Sequence, residues 1–486
     1  MDLVVLLDRR SDVPIYRQLA EELRHAVLRG RLKPNQQLPS SRILAKSLGV
    51  SRATVTQSYE QLLSEGYFEA RPGAGTFVCS QLPDEYLQPK SLARPAPKLS
   101  SLTKLSRLGD ELSAVDRIDV PEPQEEISFR FNSPSLEGFP IKLWRQLLSR
   151  HCDYSAELLD YNPDPAGYMP LRTAIADYLG RSRAVQCNPE QVIIVSGSQQ
   201  ALDLVARLTI ETGDWVAMEE PGYLGARYCF KGQGARLHGV TVDPEGLDIE
   251  ELERCQQSFK LLYVTPSHQF PTGVTLSLPR RLALLQWAQK TGTPILEDDY
   301  DSEYRYSDRP IPALQGLDRN SMVIYIGTFS KILFPSLRIG YLVVPTAWIP
   351  LVSRAKWLCD RQSPSLEQYA LTDCITEGHF ERHIRRMRQL YDRHRQVLVN
   401  ALKQYLDTRV EILGENAGIH LMARIDTNLS DEAVLRSARD LGVGITSAQS
   451  YYLNSPKSGE FIFGYAQLDE TQIQQGIEKL SQILKA

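Results

Sequence analysis

Between Pro14 and Gly30, apolar or aromatic residues recur at Ile15, Leu19, Leu23 and Val27, one face of a helix that Pro14 opens and Gly30 stops. A turn-rich stretch leads to Ser40, after which Leu44 and Leu48 predict a short second helix ended by Gly49. Ser51 is placed to cap a third helix, with Val55, Tyr59 and Leu62 on its buried side and Gly66 beyond its end. The run YFEARPGAGTFV then alternates aromatic, polar and β-branched positions around Pro72-Gly73-Ala74-Gly75, which reads as a hairpin. Two helices joined by a Gly-Val-Ser turn and followed by a hairpin predict a winged helix-turn-helix, an α+β module over residues 12–78.

From 79 to 126 the chain is rich in Pro, Ser, Leu and charge without a sustained period, and reads as a linker. From Ile127 onward β-rich runs (QVIIVSG, WVAMEE, KLLYVTP, TPILEDD, MVIYIGT, GYLVVP) alternate with helical patterns, so residues 127–486 predict an α/β domain with a mainly parallel or mixed sheet. From about Trp348 long helical segments followed by EILGENAGIHLMARI and EFIFGYAQL suggest a smaller α+β lobe.

Composition narrows the class. The seven cysteines are scattered, odd in number and without a C-x-x-C pair, so neither a disulfide framework nor a metal site is expected, consistent with a reducing cytoplasm. No leader-like or membrane-spanning stretch is expected. The net charge of −4 argues against a generally basic nucleic-acid binder, yet residues 1–78 hold eleven Lys and Arg against eight Asp and Glu. The basic excess is confined to the front.

A helix-turn-helix sets the N-terminal residues of its second helix against base edges, here Ser51, Arg52 and Thr54. Arg42 is placed for a phosphate or base, and Arg71 beside the wing tip for the minor groove or backbone. A helical protein-interaction module with surface arginines is the plainer alternative. In order, LPSSR, LAKSLGVSRATV, YEQLLSEGY and RPGAGTFV resemble the winged helix domain of GntR-type regulators, which implies binding to a double-stranded DNA operator. One domain of this size reads only a half-site, so a dimer on repeated or palindromic half-sites is expected.

The second half carries residues of another chemistry. Lys331 follows a β-rich run and is flanked by hydroxyls at Thr328 and Ser330, with Arg338 beyond; TPILEDDYDSE ends a strand in Asp298 and Tyr300. VIIVSGSQQALDLVARL reads as strand, small-residue turn and helix, offering Ser198 and Gln199 to an anion, and Tyr223 follows Pro-Gly. Taken singly these are a surface lysine, a solvated acidic loop, a structural turn and a packing tyrosine. Together they supply what pyridoxal 5'-phosphate (PLP) requires: a lysine for the Schiff base, a carboxylate for the ring nitrogen, a donor for the ring oxygen, an aromatic face and a phosphate cradle. An ion pair with the ring would depress the pKa of Asp298.

YNPDPAGYMPLR, SGSQQALD, EEPGY, TPSHQFPTG, EDDYDSE and GTFSKILFPSLRIGY resemble fold-type I aminotransferases, and specifically the MocR/GabR branch of GntR-type regulators. The resemblance implies PLP on Lys331, phosphate on Arg338, ring contacts from Asp298 and Tyr300, and a domain-swapped homodimer. Three positions depart from that pattern. Where aminotransferases grip a substrate carboxylate with arginine, the aligned residue is Ile462; a second effector arginine of some members corresponds to Gly225; and the asparagine before Pro-[TS]-Gly is Phe270. Arg227 and Arg424 are the substitutes available from other elements. The expectation is a PLP-dependent regulator sensing PLP or an amine or amino-acid-like effector through an aldimine on Lys331. A working aminotransferase with an appended DNA-binding module, Lys331 moving the α-proton, and a purely structural role stand as alternatives.

Overall fold

In the computed structural model, three helices and a hairpin share one small core near the N-terminus: α1 (Ile15–Leu28), α2 (Ser41–Leu48), α3 (Arg52–Ser64), and strands β1 (Phe68–Arg71) and β2 (Gly75–Val78). Ser40 and Ser51 cap α2 and α3 by accepting from the amides of Ile43 and Thr54, and Gly49 ends α2 at φ 63°. Leu19, Leu23, Leu44, Val55, Leu62, Phe68 and Val78 are buried together, each contributing roughly 1.5–3 kcal/mol. The wing pairs Phe68 with Val78 and Arg71 with Gly75, antiparallel, and Gln37 bridges to Phe77 as a third edge.

The chain divides into two units, Met1–Lys104 and Leu105–Ala486. The described residues are 7, 8, 11, 13–80, 105, 106, 108–110, 124–131, 133–152, 160, 161, 164–306 and 311–484. Most of the linker expected over 79–126 lies outside them. Among the described residues no helix is long and apolar enough to cross a membrane.

A short strand β3 (Ile127–Ser128) opens the second unit. Its main sheet comprises β4 (Val192–Val195), β5 (Trp215–Glu220), β6 (Arg236–Asp243), β7 (Gly246–Leu247), β8 (Phe259–Val264), β9 (Ile295–Asp299), β10 (Val323–Thr328) and β11 (Gly340–Val343). Their spatial order is β4-β11-β10-β9-β8-β5-β6-β7. Strands β10, β9, β8, β5 and β6 run parallel, while β11 lies antiparallel to both β4 and β10. The sheet is therefore mixed, and β4 runs in the same direction as its parallel core. Strands buried on both faces, such as Val192–Val195, read as continuous apolar runs because helices cover both sides.

The smaller lobe is a four-stranded sheet in the order β12 (Val410–Leu413), β13 (His420–Ile425), β16 (Glu460–Gly464), β15 (Thr446–Ser447), with β14 (Val443–Gly444) paired to β3. It differs from the lobe expected from about Trp348. Val352 and Leu371, on the helices Ile349–Asp360 and Ser365–Thr376, pack into the cores of the main sheet, and one 28-residue helix, His379–Leu406, serves both cores. Phe380 and Ile384 belong to a core of the main sheet; Met387 through Leu406, with Ile127 and Phe129 from the start of the unit, belong to the core of the smaller lobe. A continuous helical period carries no mark of where its partner changes.

Candidate functional site

Strands β4, β5, β8, β9 and β10 all end at one edge of the main sheet, and the loops leaving them enclose a cavity of about 170 Å³. All nine residues expected there from the sequence line it: Ser198, Gln199, Tyr223, Asp298, Tyr300, Thr328, Ser330, Lys331 and Arg338. Phe131, Tyr263, Phe270 and His420 line it as well.

Alternation along β9 sets the electrostatics. Glu297 and Asp299 share one face: Glu297 accepts from the amides of Leu314 and Gln315, and Asp299 pairs with Arg183 at 2.9 Å and accepts from the Tyr325 hydroxyl. Asp298 faces the cavity. Its Oδ2 accepts from the Tyr263 hydroxyl at 2.9 Å and its Oδ1 is buried without a partner. Burial pushes the Asp298 carboxyl up to about 7, with Asp299 adding to the rise and Lys331 opposing it. The depressed value expected from the sequence presupposed a cation at Oδ1; the cavity alone acts the other way.

Tyr300 is positioned by a chain of polar contacts. Its hydroxyl meets His268 Nδ1 at 3.1 Å, and the same nitrogen meets Asp301 Oδ1 at 3.0 Å, with His268 and Asp301 buried. The His420 ring lies 4.7 Å from that of His268, and its Nε2 is buried without a partner. Burial, reinforced by His268 and Lys331, holds His420 well below its ordinary pKa.

At the opposite end, Gly197 leads into the helix Ser198–Thr209 with φ 84°, a conformation L side chains rarely adopt. A Cβ there would lie 3.0 Å from the Arg338 guanidinium, whose Nη2 donates to the Ser196 carbonyl at 2.8 Å. The first amides of this helix have no intrahelical acceptor, so a cation and a positive helix end meet at one corner. Ser330 Oγ is buried there without a partner, and Thr328 Oγ1 accepts from the Ser330 amide.

The remaining wall is aromatic. Phe270 is buried with ring centroids 5.3–6.1 Å from Phe131, Tyr223, Tyr300, His420 and Tyr451. Ile462 is fully buried in the same apolar cluster. A Cβ on Gly225 would lie 2.6 Å from the Tyr223 ring, so glycine lets that ring fold over its own helix. The two candidate substitute arginines are engaged elsewhere. Arg227 donates to the carbonyls of Ser450 and Tyr451, and Arg424 pairs with Glu460 and Glu411. Glu220 completes the hold on that loop by accepting from the amides of Leu453, Asn454 and Ser455.

Sequence reasoning missed Phe131, Tyr263 and His420 as lining residues. Tyr263 could have been found from its strand, which adjoins β9; Phe131 and His420 come from the smaller lobe and carry no local signal.

In the N-terminal unit, Arg42 and Arg52 are exposed at the starts of α2 and α3. Ser51, exposed, and Thr54, half-buried, form the cap of α3, their hydroxyls 2.8 Å apart. Arg71 lies over the Phe77 ring and bonds Glu69 and Asn35 Oδ1.

Comparison with known proteins agrees with both halves. Residues 15–78 match the family of bacterial regulatory proteins, gntR family, and residues 137–480 match aminotransferase class I and II. The probable rhizopine catabolism regulatory protein MocR of Rhizobium meliloti is 42% identical over 98% of this chain and 95% of its own length. The pyridoxine biosynthesis transcriptional regulator PdxR of Corynebacterium glutamicum is 29% identical over 99% of this chain and 98% of its own. Among solved structures, the α-aminoadipate aminotransferase LysN of Thermus thermophilus, complexed with N-(5'-phosphopyridoxyl)-L-leucine, superposes with a TM-score of 0.68. It is 32% identical, covering 74% of this chain and 91% of that one. The chain belongs to the MocR-type branch of the GntR family, and is a DNA-binding transcription regulator with an aminotransferase-like PLP domain.

Proposed function

We propose that this regulator couples DNA binding to the occupancy of the cavity at Lys331, with PLP carried on that lysine and a small amine, or PLP itself, as the signal. The observation that carries the reading is a buried carboxylate with one unpartnered oxygen, Asp298 Oδ1, sharing a cavity with a lysine. A protonated ring nitrogen would satisfy Oδ1 and draw Asp298 down from about 7. Ser330 Oγ also lacks a partner, and beside it Arg338, Ser198 and Gln199 at the helix start suit a phosphate. Tyr223 offers a ring face, the Tyr300 hydroxyl a donor for the ring oxygen, and Thr328 fixes the turn before Lys331. The residues present therefore fit the cofactor.

When bound, PLP supplies a carbonyl carbon that exchanges one primary amine for another. Lys331 anchors it, Asp298 keeps the ring cationic, and the Phe131–Phe270 wall limits water around the amine. In the N-terminal unit, Arg42 and Arg52 are the exposed cations for DNA, with Ser51 and Thr54 setting the start of the recognition helix and Arg71 bracing the wing. Two copies, as a domain-swapped homodimer in the bacterial cytoplasm, would read paired half-sites. A signal acts by favouring one of two arrangements of the dimer, and the coupling is reciprocal.

The test is binding to DNA from upstream of the protein's own gene, comparing PLP-loaded protein, PLP-free protein and Lys331→Ala at one fixed salt concentration. The expected result is that the variant lacks the visible absorbance of lysine-bound cofactor and that the loaded and free forms differ in affinity or footprint. Identical binding by all three would overturn the proposal.

A further inference from the structure

The geometry points to a hydroxylated primary amine without a carboxylate, an amino alcohol, as the ligand recognised in this cavity. This rests on the function proposed above and narrows its signal. Among the described lining residues the cationic side chains are Lys331 and Arg338. Lys331 is the cofactor's anchor in that reading, and Arg338 is held at the helix corner by the Ser196 carbonyl. An arginine at Gly225 would collide with the Tyr223 ring, Ile462 is buried among apolar side chains, and Arg227 and Arg424 are engaged elsewhere. A ligand carboxylate would thus enter a cavity that already holds Asp298 and find no cation across the aromatic wall.

That wall nevertheless contains one unused polar atom. His420 is 1% exposed, and its Nε2 is buried without a hydrogen-bond partner. The ring lines the cavity, and a neutral imidazole offers one N–H donor and one lone-pair acceptor. Because burial, His268 and Lys331 keep the ring neutral, it offers no charge to a carboxylate. Its unpartnered Nε2 exchanges a hydrogen bond with a ligand hydroxyl. The flanking Phe131, Phe270 and Ile419 suit the carbon skeleton between that hydroxyl and an amine directed at the Lys331 end.

Three related primary amines separate the possibilities: 2-aminopropan-1-ol, alanine, in which a carboxylate replaces the hydroxymethyl group, and isopropylamine, in which a methyl group replaces it. Each is titrated into PLP-loaded full-length protein, read by the shift of the cofactor's visible band and by intrinsic fluorescence. The amino alcohol should bind at least about tenfold more tightly than either of the others, the scale of one buried hydrogen bond or one unpaired charge. His420→Phe should remove the preference over isopropylamine, and His420→Gln, which keeps an acceptor, should retain part of it. Tighter binding of alanine, or a preference that survives His420→Phe, would overturn this inference while leaving the cofactor proposal standing. If the wild type takes up no PLP at Lys331, both fall together.

Discussion

Asp298 should make the cofactor-free protein less stable as pH rises, and replacing it with asparagine should remove its share of that dependence, leaving the shares of Glu219, Glu297 and Glu303, which burial also raises to about 7. The folded-state pKa stands at about 7, above the ordinary 3.8, because burial disfavours the charged carboxylate. Between those values the folded state binds a proton that the unfolded state has lost, so stability falls as pH rises through the window and levels off above about 7. From about pH 5 to about pH 8 the change spans roughly two pH units below the folded pKa, or about 3 kcal/mol at 1.36 kcal/mol per unit. Asparagine keeps an acceptor for Tyr263 and leaves one amide group unpaired, much as the protonated acid leaves its own oxygen unpaired. Wild type and Asp298→Asn should therefore match at the acid end and diverge, the variant being more stable, at the basic end. Thermal unfolding of both cofactor-free proteins at one scan rate across this range reads the difference directly. A gap that stays flat with pH, or a variant that loses stability at the basic end, would refute the reasoning. Added PLP should stabilise the wild type more at pH 8 than at pH 5, since a ring cation at Oδ1 cancels the penalty; the variant should lose this trend.

Its neighbour should behave oppositely. Asp299→Asn leaves the buried Arg183 guanidinium unpaired and should lower stability by about 3–5 kcal/mol, without the basic-end gain of Asp298→Asn, as seen in the same unfolding scans. Gly197→Ala forces a Cβ into a φ of 84° and against Arg338, which should lower stability by about 1–3 kcal/mol and weaken PLP binding by tenfold or more in a fluorescence titration. Unchanged PLP affinity would remove the phosphate from this corner. Arg52→Ala should weaken DNA binding across sequences and, if its contact is to phosphate, reduce the slope of log affinity against log salt by about one, measured by fluorescence anisotropy.

Much of this site could be read along the chain because its parts are local. Lys331 with its flanking hydroxyls, Asp298 and Tyr300 at a strand end, and the Ser-Gly-Ser turn before a helix are each short runs that meet because parallel strands end at one edge. The helix cap at Ser51 was legible for the same reason. What could not be read depends on distant neighbours. Phe131 and His420 reach the cavity from the smaller lobe, whose extent itself was hidden because one helix passes between two cores. The pKa direction at Asp298 followed from burial, which no spacing reveals. Arg227 and Arg424 looked available because their partners, two carbonyls and two glutamates, are remote in sequence.

The loop at 450–455 is gripped by Arg227 through the carbonyls of Ser450 and Tyr451 and by Glu220 through three successive amides. Such a grip engages atoms that every residue type except proline carries, so it is nearly blind to the genetic identity of what it holds. Ser450, Leu453 and Ser455 are therefore free to drift over evolutionary time while the loop keeps its course, and selection falls instead on the two distant charged residues. In related chains, variation should concentrate in the held segment and constancy in its holders, with proline the one replacement at 453–455 that the arrangement cannot absorb.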